Sequence, residues 1–265
     1  MDILGIDVGG TGIKGAPVDT ETGELLAERQ RYRTPRPATP ENFTRVLREM
    51  VSHFRWKGEI GIGFPGVIRN QVVESTGNLA LSWPGTPIVD LFSKATECSV
   101  SVINDADAAG LAEMKFGAGR RAGGTVLVIT IGTGLGSALF FNGILFPNTE
   151  FGHLHINGRI AEQWAAASAR KNETLSWEVW AARLNRYLKM MERVLTPDLI
   201  ILGGGISKKH EKFLWALDLR TPVVPAHLYN VAGIAGAALF AATAPGGNAC
   251  ARAEKGLERT ALSVN

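Results

Sequence analysis

The sequence predicts an α/β protein made of two similar lobes, and three observations carry that prediction. Apolar, β-rich runs alternate with amphipathic stretches along the chain, the pattern of strands packed on helices. Two glycine-rich turns, Gly9-Gly10-Thr11-Gly12 and Gly132-Thr133-Gly134-Leu135-Gly136, each follow an apolar strand and lead into another strand rather than a helix. The turns lie about 120 residues apart, so each lobe receives one and both face a single anion.

The elements follow in order. Strands are predicted at 2–9, 13–19 and 25–33, with Glu21-Thr22-Gly23-Glu24 turning the last pair. After the link Thr34-Pro35-Arg36-Pro37 comes a helix at about 41–56, with Phe43, Val46, Leu47, Met50 and Val51 on one face. A strand at 60–63 ends in Phe64-Pro65-Gly66, and a loop-rich stretch runs to Pro87. A helix near 88–96, a strand at 99–103 and an alanine-rich helix at 105–116 follow. The second lobe has strands at 125–131 and 135–142, a helix at 176–195, a strand at 198–202 and a helix near 207–216. A closing helix spans 231–242. The domains expected are a small lobe at 1–107, completed by 231–242, and a large lobe at 108–230. The tail 243–265 lacks an apolar period and reads as poorly ordered, with no catalytic role.

Composition narrows the function. A chain of 265 residues, 45% hydrophobic and 20% charged, is long enough to bury roughly 70% of its unfolded surface and is not of disordered type. The net charge of +3 helps with a polyanionic substrate but is too weak for a dedicated nucleic-acid binder. Cys98 and Cys250 form no CxxC, which excludes a cysteine zinc cluster and fits a reducing cytosol. No signal peptide is expected, since the first apolar run breaks at Asp7. Residues 232–244 are too few and too glycine-rich to span a bilayer and read as a buried helix.

The first turn has the parts of a phosphate cradle. Gly9 and Gly10 let backbone N–H groups approach an anion, Thr11 adds a hydroxyl, Lys14 adds charge, and Asp7 is placed to meet a metal ion or its bound water. Gly132, Thr133 and Gly134 repeat the cradle. The absence of a following helix argues against a dinucleotide fingerprint, and no Gly-Lys dipeptide exists for a P-loop. Gly203, Gly204 and Gly205 lie between a strand and a helix start, offering N–H groups and a positive helix end, with Lys208-Lys209 beside them. Arg120-Arg121 is a second basic loop pair, read as a solvated face.

Phosphoryl transfer to a hydroxyl also needs a base and groups that orient the acceptor. Asp105, after Asn104 at a strand end, is either that base or a simple N-cap. Glu150 and His153, three apart in a loop, can both reach one polar ligand. Asn78 is a candidate polar ligand in the loop-rich stretch, and Trp83 is either a wall of the site or plain packing. Asp107 reads as a surface or capping acid and His155 as structural.

The segments Asp7–Lys14 and Gly132–Ser137 resemble the two phosphate motifs of the actin-like ATPase superfamily, specifically its ROK sugar-kinase branch. The resemblance covers roughly residues 2–242. It implies two actin-like (ribonuclease H-like) lobes with a cleft between them, Mg²⁺ as cofactor, a homodimer and a cytoplasmic location, with neither nucleic acid nor membrane as partner. By resemblance Asp105 takes the proton from the sugar 6-hydroxyl, Asn104 holds neighbouring hydroxyls, and Asn78, Glu150, His153 and Glu162 bind the sugar. In typical ROK kinases the histidine matching His153 helps hold a zinc ion with downstream cysteines. Here the segment reads Asn157-Gly158-Arg159-Ile160-Ala161-Glu162, so no zinc site is expected. That departure matches the polyphosphate-using branch, with polyphosphate, ATP or both as donor, glucose as acceptor and mannose as a second candidate. The alternatives are a strictly ATP-dependent glucokinase, another hexokinase, or a sugar-responsive repressor or sensor. The repressor is disfavoured because no helix-turn-helix segment precedes the strand at residue 2.

Overall fold

The computed structural model describes residues 1–77, 79–156 and 158–243. Its first half contains β1 (Asp2–Val8), β2 (Ile13–Asp19), β3 (Gln30–Tyr32), α1 (Pro40–Phe54), β4 (Ile60–Phe64), β5 (Gly66–Arg69), β6 (Val72–Thr76), α2 (Ile88–Thr96), β7 (Val100–Asn104) and α3 (Asp105–Phe116). The second contains β8 (Thr125–Ile131), β9 (Leu135–Phe141), β10 (Ile144–Phe146), β11 (His155–Ile156), β12 (Arg159–Ile160), α4 (Ala161–Ala165), α5 (Ala167–Asn172), α6 (Trp177–Leu195), β13 (Leu199–Gly203), β14 (Val223–Pro225) and α7 (Ala232–Thr243).

Two five-stranded sheets have the same plan. The first runs β3-β2-β1-β4-β7 and the second β10-β9-β8-β13-β14. In each, three antiparallel strands continue into two parallel ones. This is the actin-like pairing of lobes.

Strand alternation decides what each sheet face buries. On β1, Leu4, Ile6 and Val8 pack with Phe43, Leu47 and Met50 of α1, while Ile3 packs with Ile234, Ala235 and Ala238 of α7. On β8, Leu127, Ile129 and Ile131 pack with Trp180, Leu184 and Leu188 of α6, while Val126 and Val128 meet Leu111 and Met114 of α3. Each fully buried large apolar side chain stabilises by about 1.5–3 kcal/mol relative to exposure. Helix α1 begins as its sequence dictates: Thr39 Oγ1 accepts from the N–H of Asn42 and Pro40 occupies the first turn.

Helix α7 packs against both β1 and α3 without an amphipathic stripe, because most of its residues, such as Ile234, Ala237 and Ala238, are buried. Besides these side-chain contacts, it makes close backbone-to-backbone approaches. A Cβ at Gly61 would overlap the carbonyl of Ala237, and one at Gly236 would overlap the carbonyl of Ala108. Only glycine permits this approach, which brings the first sheet close to α3, the helix that carries Asp105.

Several expectations change. The third strand shrinks to β3, with Val18 and Leu25 forming an isolated bridge. The loop-rich stretch before Pro87 holds the β5–β6 hairpin, whose register shifts at Val67/Ile68. The helix near 207–216 is instead a pair of 3₁₀ segments, Gly205–Lys212 and Leu214–Ala216, kinked at Lys209. Ser207 Oγ donates to the Gly204 carbonyl at 2.7 Å, a local bond that competes with regular helix. Trp83 is completely buried against Phe43, Phe64 and Phe92, so it is packing and not a wall of the site. The tail from 244 onward lies outside the described residues. Among those described, no helix is long and apolar enough to cross a membrane.

Candidate active site

Hairpin register delivers the first cradle. Asp7 and Lys14 face each other across β1–β2, and Lys14 Nζ donates to Asp7 Oδ2 at 3.2 Å. The turn is closed by the Gly9 N–H on the Gly12 carbonyl at 3.0 Å and held by Thr34 Oγ1 on the Gly9 carbonyl at 2.5 Å. The second turn is closed alike, with the Gly132 N–H on the Gly134 carbonyl at 3.0 Å. Both open on one cavity of about 570 Å³, lined by Gly9, Gly10, Thr11 and Lys14 from one side and Gly132, Thr133 and Gly134 from the other.

At the same cavity, the N-cap of α3 is taken by Asn104. Its Oδ1 accepts from the N–H groups of Ala106 and Asp107 at 2.9 and 3.1 Å, and its Nδ2 donates to the Gly66 carbonyl at 3.2 Å. Asn104 is therefore largely occupied by structure, with one Nδ2 hydrogen left for a ligand. Because Asn104 caps the helix, the Asp105 carboxyl needs only the N–H of Ala106, at 2.9 Å, and lines the cavity. Burial pushes its pKa up to about 7, and the charges of Asp7 and Glu150 add to the rise against the Ala106 bond.

Across the cavity lies a cluster of three side chains. His153 Nδ1 lies 3.6 Å from Glu150 Oε2, and His153 Nε2 lies 3.9 Å from Glu162 Oε1. Glu162 reaches the cluster from the first turn of α4. Burial raises the Glu150 pKa; His153 opposes the rise and Glu162 reinforces it. All three side chains line the cavity with Asp105.

Gly203, Gly204 and Gly205 line an adjoining cavity of about 150 Å³ with Asp7, Lys14 and Asp105. With 3₁₀ turns after Gly204 (φ 78°), these glycines have loop N–H groups to offer but no α-helix end. Lys208 is exposed and lines neither cavity; its ammonium lies 5.8 Å from the Tyr229 ring, which borders the smaller one. Asn78 lies outside the described residues. His155 is exposed on β11. Arg120 lines a separate groove with Met114, Lys115 and Asn142. Among the described residues no group of three or more His, Cys, Asp or Glu side chains is placed to hold a metal ion.

Sequence reasoning missed three contributors. Asp107, read as a surface or capping acid, is fully buried. Its Oδ2 accepts from the N–H of Asn148 at 2.7 Å, two residues before Glu150, and burial pushes its pKa up to about 7. Asn148 in turn bonds Ile68 on both backbone groups, at 3.2 and 3.0 Å, so the Glu150 loop is tied to α3 and to the β5–β6 hairpin. Buried Glu113 accepts from His227 and Leu228 at 3.1 and 2.7 Å, holding the loop before α7. The alanines around Asp107 were the available signal, since small apolar neighbours mark a closely packed helix.

The chain is similar to known proteins along most of its length. The ROK family profile matches residues 3–171. A polyphosphate glucokinase of Mycobacterium tuberculosis is 47% identical over 237 residues, 89% of each chain. A glucokinase of Streptomyces coelicolor is 34% identical over 78% of this chain and 67% of its own. The crystal structure of an inorganic polyphosphate/ATP-glucomannokinase from Arthrobacter sp. strain KM superposes with a TM-score of 0.87 at 48% identity, over 90% of this chain and 97% of that one.

Proposed function

The chain belongs to the ROK family, and we propose that it moves a phosphoryl group from inorganic polyphosphate, and also from ATP, to the 6-hydroxyl of glucose, with mannose as a second acceptor. Similarity to polyphosphate glucokinases along nearly the whole of both chains supports the class of reaction. The observation that carries the chemistry is Asp105, whose carboxyl lines the cavity between two phosphate-type turns and faces the Glu150–His153–Glu162 cluster.

In this reading Glu150, Glu162 and His153 hold the sugar by its hydroxyls and turn the 6-hydroxyl toward Asp105. Asp105 accepts the hydroxyl proton as the sugar oxygen bonds to the terminal phosphorus. The bridging P–O bond breaks, and a polyphosphate shorter by one unit, or ADP, leaves. Lys14 and the N–H groups of the two turns neutralise and orient the phosphate oxygens. A base with a pKa near 7 suits proton transfer at neutral pH.

Mg²⁺ belongs to the proposal. Three carboxyls, Asp7, Asp105 and Glu113, line the smaller cavity, and Glu113 is taken up by the N–H groups of Ala118, His227 and Leu228, which leaves Asp7 and Asp105. This donor set fits an ion held by one carboxylate, donor phosphates and water better than an all-protein cage. Such an ion would offset charge on the phosphate oxygens. A chelator should abolish turnover and added Mg²⁺ restore it; full activity in chelator would remove the ion from the account. A homodimer and a cytoplasmic location go with the family reading. Light scattering that found only monomer would reject the first.

The test is the initial rate of sugar 6-phosphate formation with polyphosphate or ATP, and with glucose or mannose. Polyphosphate-dependent formation of glucose 6-phosphate supports the reading. Activity with ATP alone would leave a strictly ATP-dependent glucokinase.

A further inference from the structure

Beyond the catalytic residues, the segment after the first phosphate hairpin carries positive charge that no carboxylate answers. Arg31 lies on β3, and Arg33 and Arg36 follow it; all three are exposed. Among the described residues, none of them takes part in an ion pair. Arg31 Nη2 donates to the Thr11 carbonyl at 3.4 Å, which lays its guanidinium across the outer side of the turn. The three arginines line a groove of about 630 Å³ with Thr34, Gly10 and Thr11, and no acidic residue lines it. Gly10, Thr11 and Arg36 also border the main cavity, so groove and cleft are continuous.

We propose that this arginine groove holds the distal phosphates of a linear polyphosphate whose terminal unit sits between the two turns. The proposal rests on polyphosphate being a donor. A chain longer than the cleft must leave it, and the groove is a cationic way out across the Gly10–Thr11 tip. Guanidinium groups bind phosphate oxygens bidentately, and exposed arginines suit a repeating ligand that has no fixed register. ATP ends in a nucleoside after three phosphates and gains little from such a track. The other basic pairs are worse placed: Arg120 lines a groove that shares no residue with the cleft, and Lys208 and Lys209 line neither cavity.

The test is the double variant Arg33→Gln/Arg36→Gln, with Arg31 kept because it touches the turn. KM is measured for long-chain polyphosphate, tripolyphosphate and ATP over a range of NaCl. The KM for the long chain should rise roughly 10-fold, and clearly more than the other two. Its dependence on salt should become shallower by roughly 1.4–1.8 in the log–log slope, about 0.7–0.9 for each arginine removed. The conservative Arg33→Lys/Arg36→Lys variant should keep most of the long-chain affinity and confirms that charge, not folding, is read. An equal rise for all three donors, or no rise for the long chain, overturns the groove. A wild-type protein without polyphosphate-dependent activity overturns the donor assignment itself and the groove with it. Polyphosphate activity in the wild type with unchanged chain-length preference in the glutamine variant rejects the groove alone.

Discussion

The two central hairpins hold the same place in matching sheets but differ in the turn, residues 9–12 against 132–134, and one pair in from it. The first sheet pairs Asp7 with Lys14 there, and the second pairs Thr130 with Gly136. A Cβ at Gly136 would overlap both Thr130 Oγ1 and the Cβ of Ala106, so the second hairpin gives up a side chain to let the start of α3 approach. The first keeps its charges and is flanked by Arg31, Arg33 and Arg36. The second is instead followed by Glu150, His153 and Glu162. In the proposed reading the same scaffold would serve two chemistries: cations beside the first hairpin for a phosphate donor, and carboxylates after the second for a hydroxyl-bearing acceptor, with Asp105 lining the cavity between them.

Removing that meeting point should have the largest effect. Asp105→Asn is expected to keep the fold and lower kcat by about 10²–10⁴-fold. Since burial raises the Asp105 pKa to about 7 and the base must be ionised, wild-type kcat should fall as pH drops below about 7. A variant retaining more than a tenth of wild-type turnover, or a rate flat down to pH 5, would take Asp105 out of that role.

Next comes the close packing of α7 on β4. Gly61→Ala forces a methyl group into the Ala237 carbonyl and should cost more than about 3 kcal/mol, measured by denaturant unfolding. A change below 1 kcal/mol would mean that α7 can move away from β4 easily.

A smaller effect tests the tie between lobes. Asp107→Ala leaves the Asn148 N–H without its partner and should cost about 1–3 kcal/mol while raising the glucose KM, and Asp107→Asn should restore most of both. Burial holds the folded pKa of Asp107 at about 7, well above the ordinary carboxylate range. The folded state therefore keeps a proton that the unfolded chain releases, and stability should fall as pH rises between about 4 and 7. Asp107→Asn should flatten part of that slope; an unchanged slope would contradict the burial of this carboxyl.

The legibility of the sequence divides along similar lines. Where structure follows from local pattern, the residues announced it: the apolar face of α1, the limits of α3, and the β1–β2 and β8–β9 hairpins with their glycine turns. Where it depends on distant partners, they did not. Asp107 looks like a helix-surface acid until Asn148, 41 residues away, is placed against it. Arg31, Arg33 and Arg36 look solvated until the fold sets them beside the first turn. The helix expected after Gly205 failed for a local reason, since Ser207 bonds back to Gly204 and the chain tightens into 3₁₀ turns. Glu162, lacking cysteines to anchor it, still arrives beside His153 because α4 carries it there.

The division of labour between the lobes is tested most directly by one kinetic matrix: KM for donor and for glucose, measured in wild type, Lys14→Ala and Glu150→Gln. Lys14→Ala should raise the donor KM by roughly 10-fold or more and move the glucose KM by less than about 3-fold, and Glu150→Gln should do the reverse. If both variants moved the same KM, donor and acceptor would not be parted between the two hairpins, and the account would be wrong.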